Sequence, residues 1–411
     1  MGHVVMTPSG KYRANWREPS GTQRAKTFRT KREATAFLAR IETQKADGGY
    51  VSPHAGRMLF GEHAARWMAT WNTAVTTRAR DASVMRTHVL PQWSSWQLGK
   101  IDEVAVQGWI TDLGGRLSAA TVAECHRLAM GVLRSAVRNK LIVTNPAAGV
   151  RLPRRTKTDR DEFVITREVL RSQLLPAVPD RHRAFVTVAA GSGMRWGEIA
   201  GLAFDAVDLT AGTVRVARTV VEVSGRRSVK ATPKTAAGRR IIPLPRWALE
   251  ALRNQVDRMR PGPRDLVFAT DVGTPLSRGT WRARVWRPSL VRAGLLGEVE
   301  PIGANRWQAR WTDTEGYEGV ASFDAHRDAV LHVARHAGEG MTFHDLRHSY
   351  ATWLVDDGVP INMVQRVLGH ERSSTTLDIY TRRTDNSARL LDALDDPDDD
   401  EGTAGLLAPL R

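Results

Sequence analysis

The chain has 411 residues, which is long enough for two or three domains that each bury a hydrophobic core. Its 60 Lys and Arg residues against 44 Asp and Glu leave a formal charge of +16, an excess typical of proteins that bind a polyanion such as nucleic acid. The lone Cys125 excludes a disulfide or a cysteine metal site within one chain, and no apolar stretch approaches the roughly 18 residues of a membrane span, so we expect a cytoplasmic protein without a membrane partner.

Residues 1–53 form the first predicted domain, a small sheet with a helix. Apolar and polar residues alternate in Tyr12–Arg17, a second strand ends near Phe28, and residues 31–42 have a helical pattern. Between positions 11 and 42, nine basic residues against three acidic ones give a balance of +6. This excess favours contact with phosphates, and the alternative is an ordinary solvated surface. The candidate contacts are Lys11, Arg13, Arg17 and Lys26.

Residues 57–150 form the second predicted domain, which is helical. Its clearest apolar face has helical spacing and comprises Val122, Cys125, Leu128, Val132, Ala136 and Val137. Basic side chains on or beside the same helix are candidates for phosphate contact, or they only solvate its surface. These residues are Arg127, Arg134 and Arg138. A linker rich in proline and basic residues follows at 146–158.

Residues 160–395 form the third predicted domain and contain four polar motifs in order. The first two are the segment Gly193–Ile199 and the sequence Pro-Lys-Thr at 233–235, which precedes a predicted strand. The third is His-Asp-Leu-Arg at 344–347, in a segment, 342–354, with a helical pattern. The fourth is Leu-Gly-His at 368–370 with a tyrosine ten residues later. The candidate site residues are Arg195, Lys234, His344, Arg347, His370 and Tyr380.

These residue types suit chemistry on a phosphate. Arginine binds phosphate through two parallel hydrogen bonds, and histidine moves a proton near neutral pH. His344 and Arg347 lie one helical turn apart, so we expect both on one face. Tyr380 is the only plausible nucleophile of the set, and its phenol, with a free pKa of about 10, needs such a cluster to attack a phosphodiester. The chain has no Gly-rich phosphate loop and no metal-ligand set, so we expect chemistry without a metal or cofactor.

An internal repeat interrupts the third domain. A gapless shift of 295 positions pairs Ala14 with Ala309 and Trp16 with Trp311, and the glycine and phenylalanine positions also coincide. We therefore predict a second sheet-and-helix module at 303–338, with Trp311 and Phe323 as its small core. Between positions 306 and 337 it has four basic and five acidic residues, which favours a protein contact or a folded spacer over DNA binding. After the third domain, residues 396–411 are predicted to form an acidic, disordered tail.

The four motifs together resemble those of the tyrosine recombinase family, which includes the phage integrases. The resemblance covers roughly 190 residues. The segment Gly193–Ile199 resembles the family's first arginine box, 233–244 its lysine hairpin, and the remaining two motifs its C-terminal signature. It implies a multidomain α+β protein: an arm-type DNA-binding domain with a three-stranded sheet and a helix, a helical core-binding domain, and a mixed α/β catalytic domain.

The resemblance also implies the roles of the site residues. Tyr380 would attack the scissile phosphate and form a 3′-phosphotyrosine, so that strands are cut and rejoined without ATP. The two arginines would stabilise the charge of the transition state, and Lys234, with Lys230 as a competitor, would protonate the leaving 5′-oxygen. His344 would help remove the phenolic proton, and His370 would donate to the phosphate.

The predicted function is therefore an integrase that inserts or excises phage or mobile-element DNA. Its expected partners are double-stranded attachment sites and three further copies of the chain in a tetramer, on the host nucleoid, with an excisionase and a host DNA-bending protein as candidates. One alternative is a chromosome-dimer resolvase or type IB topoisomerase, which as a rule lacks the basic N-terminal domain. The other is an architectural or regulatory DNA-binding protein with an inactive site.

Overall fold

The computed structural model describes residues 2–19, 21–52, 54–154, 163–223, 225–231, 240–259, 262 and 264–369. Its helices and small antiparallel sheets confirm the predicted α+β class. The chain divides into two compact units, Met1–Thr158 and Asp159–Arg411. Within the described ranges, no helix is both long and apolar enough to cross a membrane. The predictions for Lys234, His370, Tyr380 and the acidic tail fall outside these ranges.

The first unit begins with a three-stranded antiparallel sheet whose order is β1-β2-β3 and which has a helix packed on one face. These elements are β1 (His3–Met6), β2 (Tyr12–Arg17), β3 (Gln23–Phe28) and α1 (Lys31–Ala46). The helix starts where the Thr30 hydroxyl accepts a hydrogen bond from the Glu33 amide while the Glu33 carboxylate accepts one from the Thr30 amide. It continues four residues beyond the predicted end, and Ala14 and Trp16 are buried beneath it.

The rest of the first unit is helical, as its apolar spacing predicts. The helices are α2 (Phe60–Ala69), α3 (Val75–Val84), α4 (Leu90–Trp93), α5 (Glu103–Gly114) and α6 (Ala119–Arg138). The apolar face of α6 lies at the centre of their core, where Val122, Leu128 and Val132 are fully buried. Cys125 is also buried there, and burial raises the pKa of its thiol.

The second unit packs short helices around small sheets. Its helices are α7 (Arg167–Val169), α8 (Leu175–Ala177), α9 (Asp180–Ser192), α10 (Trp196–Ala200), α11 (Arg246–Met259), α12 (Arg278–Trp281), α13 (Arg287–Arg292), α14 (His326–His336), α15 (Asp345–Asp356) and α16 (Ile361–Leu368). Its strands are β4 (Val207–Asp208), β5 (Thr213–Arg215), β6 (Arg218–Val223), β7 (Arg226–Ala231), β8 (Ile241–Pro243), β9 (Glu298–Gly303), β10 (Arg306–Thr312) and β11 (Glu318–Phe323). Strands β4, β5 and β8 form one sheet, and β6 and β7 form a hairpin.

The strands β9, β10 and β11 with α14 repeat the N-terminal sheet and helix. The repeat extends to strand pairing: Tyr12 pairs with Phe28 as Trp307 pairs with Phe323, which is the same register after a shift of 295. The pairing of β1 with β2 likewise matches that of β9 with β10. We call β1–β3 with α1 the N-terminal module and β9–β11 with α14 the inserted module.

The core of the inserted module differs from the predicted one. Trp311 and Phe323 are only half-buried, and the fully buried side chains are smaller ones. These residues are Ala309, Ala329, Val330 and Val333. They belong to the same core as the rest of the second unit, because α14 packs against α13. The prediction of a separate aromatic core was therefore wrong.

A buried arginine fixes the inserted module to the second unit. Arg287 of α13 is 7% exposed and donates to the carbonyl oxygens of Ala334, Ala337 and Gly338 at the C-terminal end of α14. A cation at this end of a helix satisfies carbonyls that have no partner within the helix. The module is thus held to the unit by hydrogen bonds as well as by its shared core.

Candidate active site

Arg347 lies in α15 and is 3% exposed. Its guanidinium donates to the Gly193 carbonyl at 2.7 Å and to the Leu368 carbonyl at 2.7 Å. These carbonyls belong to the C-terminal ends of α9 and α16, two points far apart in the sequence. Arg347 therefore joins three helices at one place.

Arg195 lies at the N-terminal end of α10 and reaches the same place. Its Nη2 donates to the Gly369 carbonyl at 3.3 Å, next to the carbonyl that Arg347 uses. Its Nη1 contacts the Glu198 carboxylate at 3.0 Å, and its side chain is 41% exposed. The structure thus brings together the two arginines that the sequence motifs predicted, and one of them is open to solvent.

Sequence reasoning missed Arg240, which begins the approach to β8 and is 8% exposed. Its guanidinium donates to both oxygens of Glu198, at 3.2 and 2.8 Å, and to the Val367 carbonyl at the end of α16. Burial by itself would raise the pKa of Glu198, but hydrogen bonding and the charges of Arg240 and Arg195 outweigh burial and lower it. Three guanidinium groups and one ionised carboxylate give this site a net positive charge.

His344 immediately precedes α15 rather than lying within a helix from residue 342, so the predicted start of this helix was wrong. The residue is partly exposed to solvent, and its pKa is lowered to about 4. The causes are partial burial first and then the nearby positive charges of His348, Arg347, Arg195 and Arg278. The ring is therefore neutral at pH 7 and able to accept a proton. Arg278, in α12, is a second nearby cation that sequence reasoning missed.

Two features hold these groups in place. Phe343, next to His344, packs against Phe185 and Trp196 with ring centroids 5.2 and 5.0 Å apart. Gly193 ends α9 with φ of +60°, and a Cβ there would lie 2.5 Å from the Tyr350 ring. Glycine at this position thus allows the close approach of α9 and α15, on which the contact between Arg347 and Gly193 depends.

The predicted lysine and nucleophile stay outside the described residues. The hairpin β6–β7 precedes Lys234, and Lys230, the competing lysine, is half-buried in β7 opposite Thr219. The described part of the chain ends at Gly369, one residue before His370. The assembled part of the predicted set is Arg195, His344 and Arg347. Among the described residues, no group of three or more His, Cys, Asp or Glu is arranged to hold a metal ion.

The candidate DNA contacts of the N-terminal module divide between the two faces of its sheet. Arg13 and Arg17 are exposed on the face away from α1, because they alternate with the buried Ala14 and Trp16. Lys26 pairs opposite Ala14 and lies over the Phe28 and Phe37 rings, so it belongs to the face that bears α1. Lys11 is exposed in the turn before β2. The structure therefore separates Lys26 from the two arginines.

The candidates on α6 also differ from one another. Arg127 is 2.9 Å from the Asp81 carboxylate and 2.7 Å from that of Glu124, so nearby anions offset its charge. Arg134 and Arg138 are exposed, and the described residues provide neither with a carboxylate partner. These two arginines are thus the more available for phosphate.

Two family profiles, both of phage integrases, match the chain. The profile described as "Phage integrase family" matches residues 166–301 and 322–387, and that described as "Phage integrase, N-terminal domain" matches residues 1–47. The chain belongs to the phage integrase family. This confirms the predicted family, and residues 302–321, which contain most of the β10–β11 hairpin, fall outside its match.

Individual relatives agree with the family match. The chain is 29% identical over 278 residues to a prophage phiRv2 integrase of Mycobacterium tuberculosis, with 65% of this chain and 72% of the relative covered. It is 27% identical over 286 residues to the tyrosine recombinase XerD of Corynebacterium glutamicum, with 66% and 73% covered. A solved structure of the Tn1549 transposon integrase with circular intermediate DNA has a TM-score of 0.61 at 18% identity and covers 82% of this chain and 100% of that one. That structure shows that the fold is shared.

Proposed function

We propose that this chain cuts and rejoins DNA at specific sites through a 3′-phosphotyrosine intermediate on Tyr380, and so integrates or excises phage or mobile-element DNA. Family membership identifies the enzyme class as a tyrosine-type site-specific recombinase. The observation that carries the residue assignment is the convergence of Arg195 and Arg347 on adjacent carbonyls at the end of α16. Residue 370 follows that point directly, and the proposed nucleophile lies ten residues further on.

Elimination among the tyrosines supports Tyr380. The chain has five tyrosines. Tyr50 is buried and its hydroxyl accepts a hydrogen bond from the Trp16 indole, and Tyr350 is buried with its pKa raised to about 12, so neither suits attack on DNA. Tyr12 lies in β2 and Tyr317 lies in the turn between β10 and β11, and among the described residues neither contacts Arg195 or Arg347.

The proposed reaction follows from charge and proton balance. The Tyr380 oxygen bonds to phosphorus while the bond from phosphorus to the 5′-oxygen breaks, and Lys234 protonates that oxygen. Arg195 and Arg347 stabilise the negative charge that grows on the non-bridging oxygens, with His370 as a further donor. His344, neutral at pH 7, accepts the phenolic proton. A 5′-hydroxyl of another strand then reverses the steps, so no ATP is required.

The stoichiometry of the reaction suggests a tetramer. Two duplexes contain four strands, and each chain supplies one candidate nucleophile, so four copies cut and exchange all strands. The DNA contacts proposed for each copy are Arg13 and Arg17 on the N-terminal sheet and Arg134 and Arg138 on α6, since these cations are exposed and lack carboxylate partners among the described residues. An excisionase and a host DNA-bending protein, on the nucleoid, are the proposed accessory partners.

Substitution of each site arginine by lysine tests the proposal. Attachment sites are taken from the DNA that flanks the gene, and recombinant junctions are counted after incubation with purified protein without ATP. We expect Arg195→Lys and Arg347→Lys each to lower the rate at least about 100-fold, because a lysine cannot reproduce the two-bond contact of a guanidinium with phosphate.

Arg181→Lys is the matched control, because Arg181 forms an exposed ion pair with Asp271 and should tolerate the change. Urea unfolding of each variant separates loss of catalysis from loss of folding. Recombination near the wild-type rate by a folded Arg195→Lys protein would remove Arg195 from the site. A wild-type protein that binds the sites but never joins them would favour the architectural alternative.

A further inference from the structure

The inserted module has the framework of the N-terminal module but not its surface charge. Equal registers mean that each position of one sheet corresponds to one position of the other, 295 residues later. The positions beneath the helix are kept, since Ala14 and Trp16 correspond to Ala309 and Trp311. We call the opposite face of each sheet, away from its helix, the outer face. If the residues exposed on the two outer faces differ in charge, the two modules are suited to different binding partners.

The outer face of the N-terminal sheet is cationic. Arg13 and Arg17 lie on it, four residues apart along β2, or roughly 13 Å at the rise of a strand. Both are exposed, and neither contacts a carboxylate among the described residues. The two cations are therefore available to a partner.

The outer face of the inserted sheet is anionic. Gln308 and Thr312 replace the two arginines, and glutamates occupy three positions that are not acidic in the N-terminal sheet. These are Glu298, Glu300 and Glu318. All three are exposed, and within the described ranges none forms an ion pair. The one cation on this face, Arg310, donates to the Gln308 side chain. A phosphate backbone would be repelled here.

The two outer faces match in spacing as well as in charge. Glu300 lies opposite Gln308, and Glu318 lies opposite Thr312. Along the strand direction, these two glutamates therefore span the same four-residue interval that separates Arg13 from Arg17, although they lie on opposite sides of β10. Each face also exposes a valine, Val320 opposite Arg310 at 61% exposure and Val5 opposite Arg13 at 47% exposure. Apolar contact together with complementary charges is typical of a specific protein interface.

We propose that the outer face of the inserted sheet binds the outer face of the N-terminal sheet of a second copy of this chain. A second copy is the fitting partner because it presents cations on a sheet with the same strand order and the same pairing register. If the cationic face also binds DNA, which rests on the proposed function, the docked copy competes with DNA for the same arginines. The contact would then keep the N-terminal module from binding DNA until DNA phosphates displace the docked copy.

Self-association of the full-length protein without DNA tests this proposal independently of catalysis. Sedimentation velocity is measured over a range of protein concentrations at about 50 mM and about 500 mM salt, since the higher salt screens exposed charges. We expect concentration-dependent association at the lower salt that is lost at the higher salt. The variant Glu298→Lys/Glu300→Lys/Glu318→Lys should stay monomeric at either salt concentration, and so should the variant Arg13→Glu/Arg17→Glu. A protein that carries both sets should associate again, because the signs of the two faces are exchanged.

The matched control reverses three exposed carboxylates that do not lie on the outer face, Glu315→Lys/Asp257→Lys/Glu250→Lys, and should associate as the wild type does. A wild-type protein that stays monomeric at the lower salt would overturn the proposal. So would association that neither set weakens, or failure of the combined set to restore it, because net charge alone would then explain the result. If the sedimentation coefficient changes with salt but not with protein concentration, the two faces bind each other within one chain. That result would overturn the proposal of a second copy as the partner.

Discussion

At the scale of single residues, the site is a group of cations fixed by helix ends. The family motifs predicted that Arg195, His344 and Arg347 act together, and the structure places the three in one neighbourhood. The buried pair of Glu198 and Arg240 was not predictable, because 42 residues separate its members and no local pattern joins them. The available signal was Glu198 itself, an acidic residue three positions after Arg195 in the same motif.

The neutral state of His344 gives a prediction about pH. Its pKa of about 4 lies below the ordinary value of 6.5, so above pH 6.5 the ring is neutral in both the folded and the unfolded chain. Between pH 6.5 and 4 the unfolded chain binds this proton first, so the contribution of His344 to folding stability is lost as pH falls. NMR titration of the ring in the DNA-free protein should give a midpoint far below that of a short peptide with the same residues.

DNA should raise this midpoint, because phosphate charge offsets the arginines that lower it. A midpoint near 6.5 in the folded, DNA-free protein would mean that the ring does not lie among these cations.

At the scale of elements, helix C-terminal ends organise the site. α9 and α16 each end in a glycine with positive φ, Gly193 and Gly369, and carbonyls at those ends receive Arg347 and Arg195. The repeated pattern at an offset of 295 predicted the strands of the inserted module. It could not predict the core that this module shares with the rest of its unit, because that core depends on Arg287 and α13, which lie outside the repeat.

Gly193→Ala tests the role of the end of α9. The new Cβ would lie 2.5 Å from the Tyr350 ring and require the left-handed conformation, so we expect a loss of about 2–5 kcal/mol in the free energy of unfolding. Gly294→Ala is the matched control: its φ is +66° but no atom lies within 4 Å of a Cβ there, so it should lose only the backbone part, about 1–2 kcal/mol. Urea unfolding measures both. If both variants lose the same free energy of unfolding, the close packing of α9 against α15 does not contribute to stability.

At the scale of the whole molecule, the chain combines a basic N-terminal module, a group of helices, and a second unit that contains the candidate site and an acidic copy of the first module. Composition alone indicated a nucleic-acid partner, because +16 is a large excess for a chain of 411 residues. The sequence alone could not show that the outer face of the inserted sheet is anionic, because the strand registers are needed to assign each residue to a face of the sheet. The same registers separated Lys26 from Arg13 and Arg17.

Mapping of the trapped covalent adduct shows which residue forms the bond to DNA, and we expect that residue to be Tyr380. A nicked attachment site, from which the fragment beyond the cut diffuses away, traps the covalent complex. Digestion with nuclease and trypsin then yields the peptide of residues 373–382, which contains one tyrosine. We predict by mass spectrometry a nucleotide phosphate on Tyr380 in the wild type and no adduct in Tyr380→Phe, while Tyr317→Phe reacts normally. An adduct on another residue, or one that persists in Tyr380→Phe, would contradict the account.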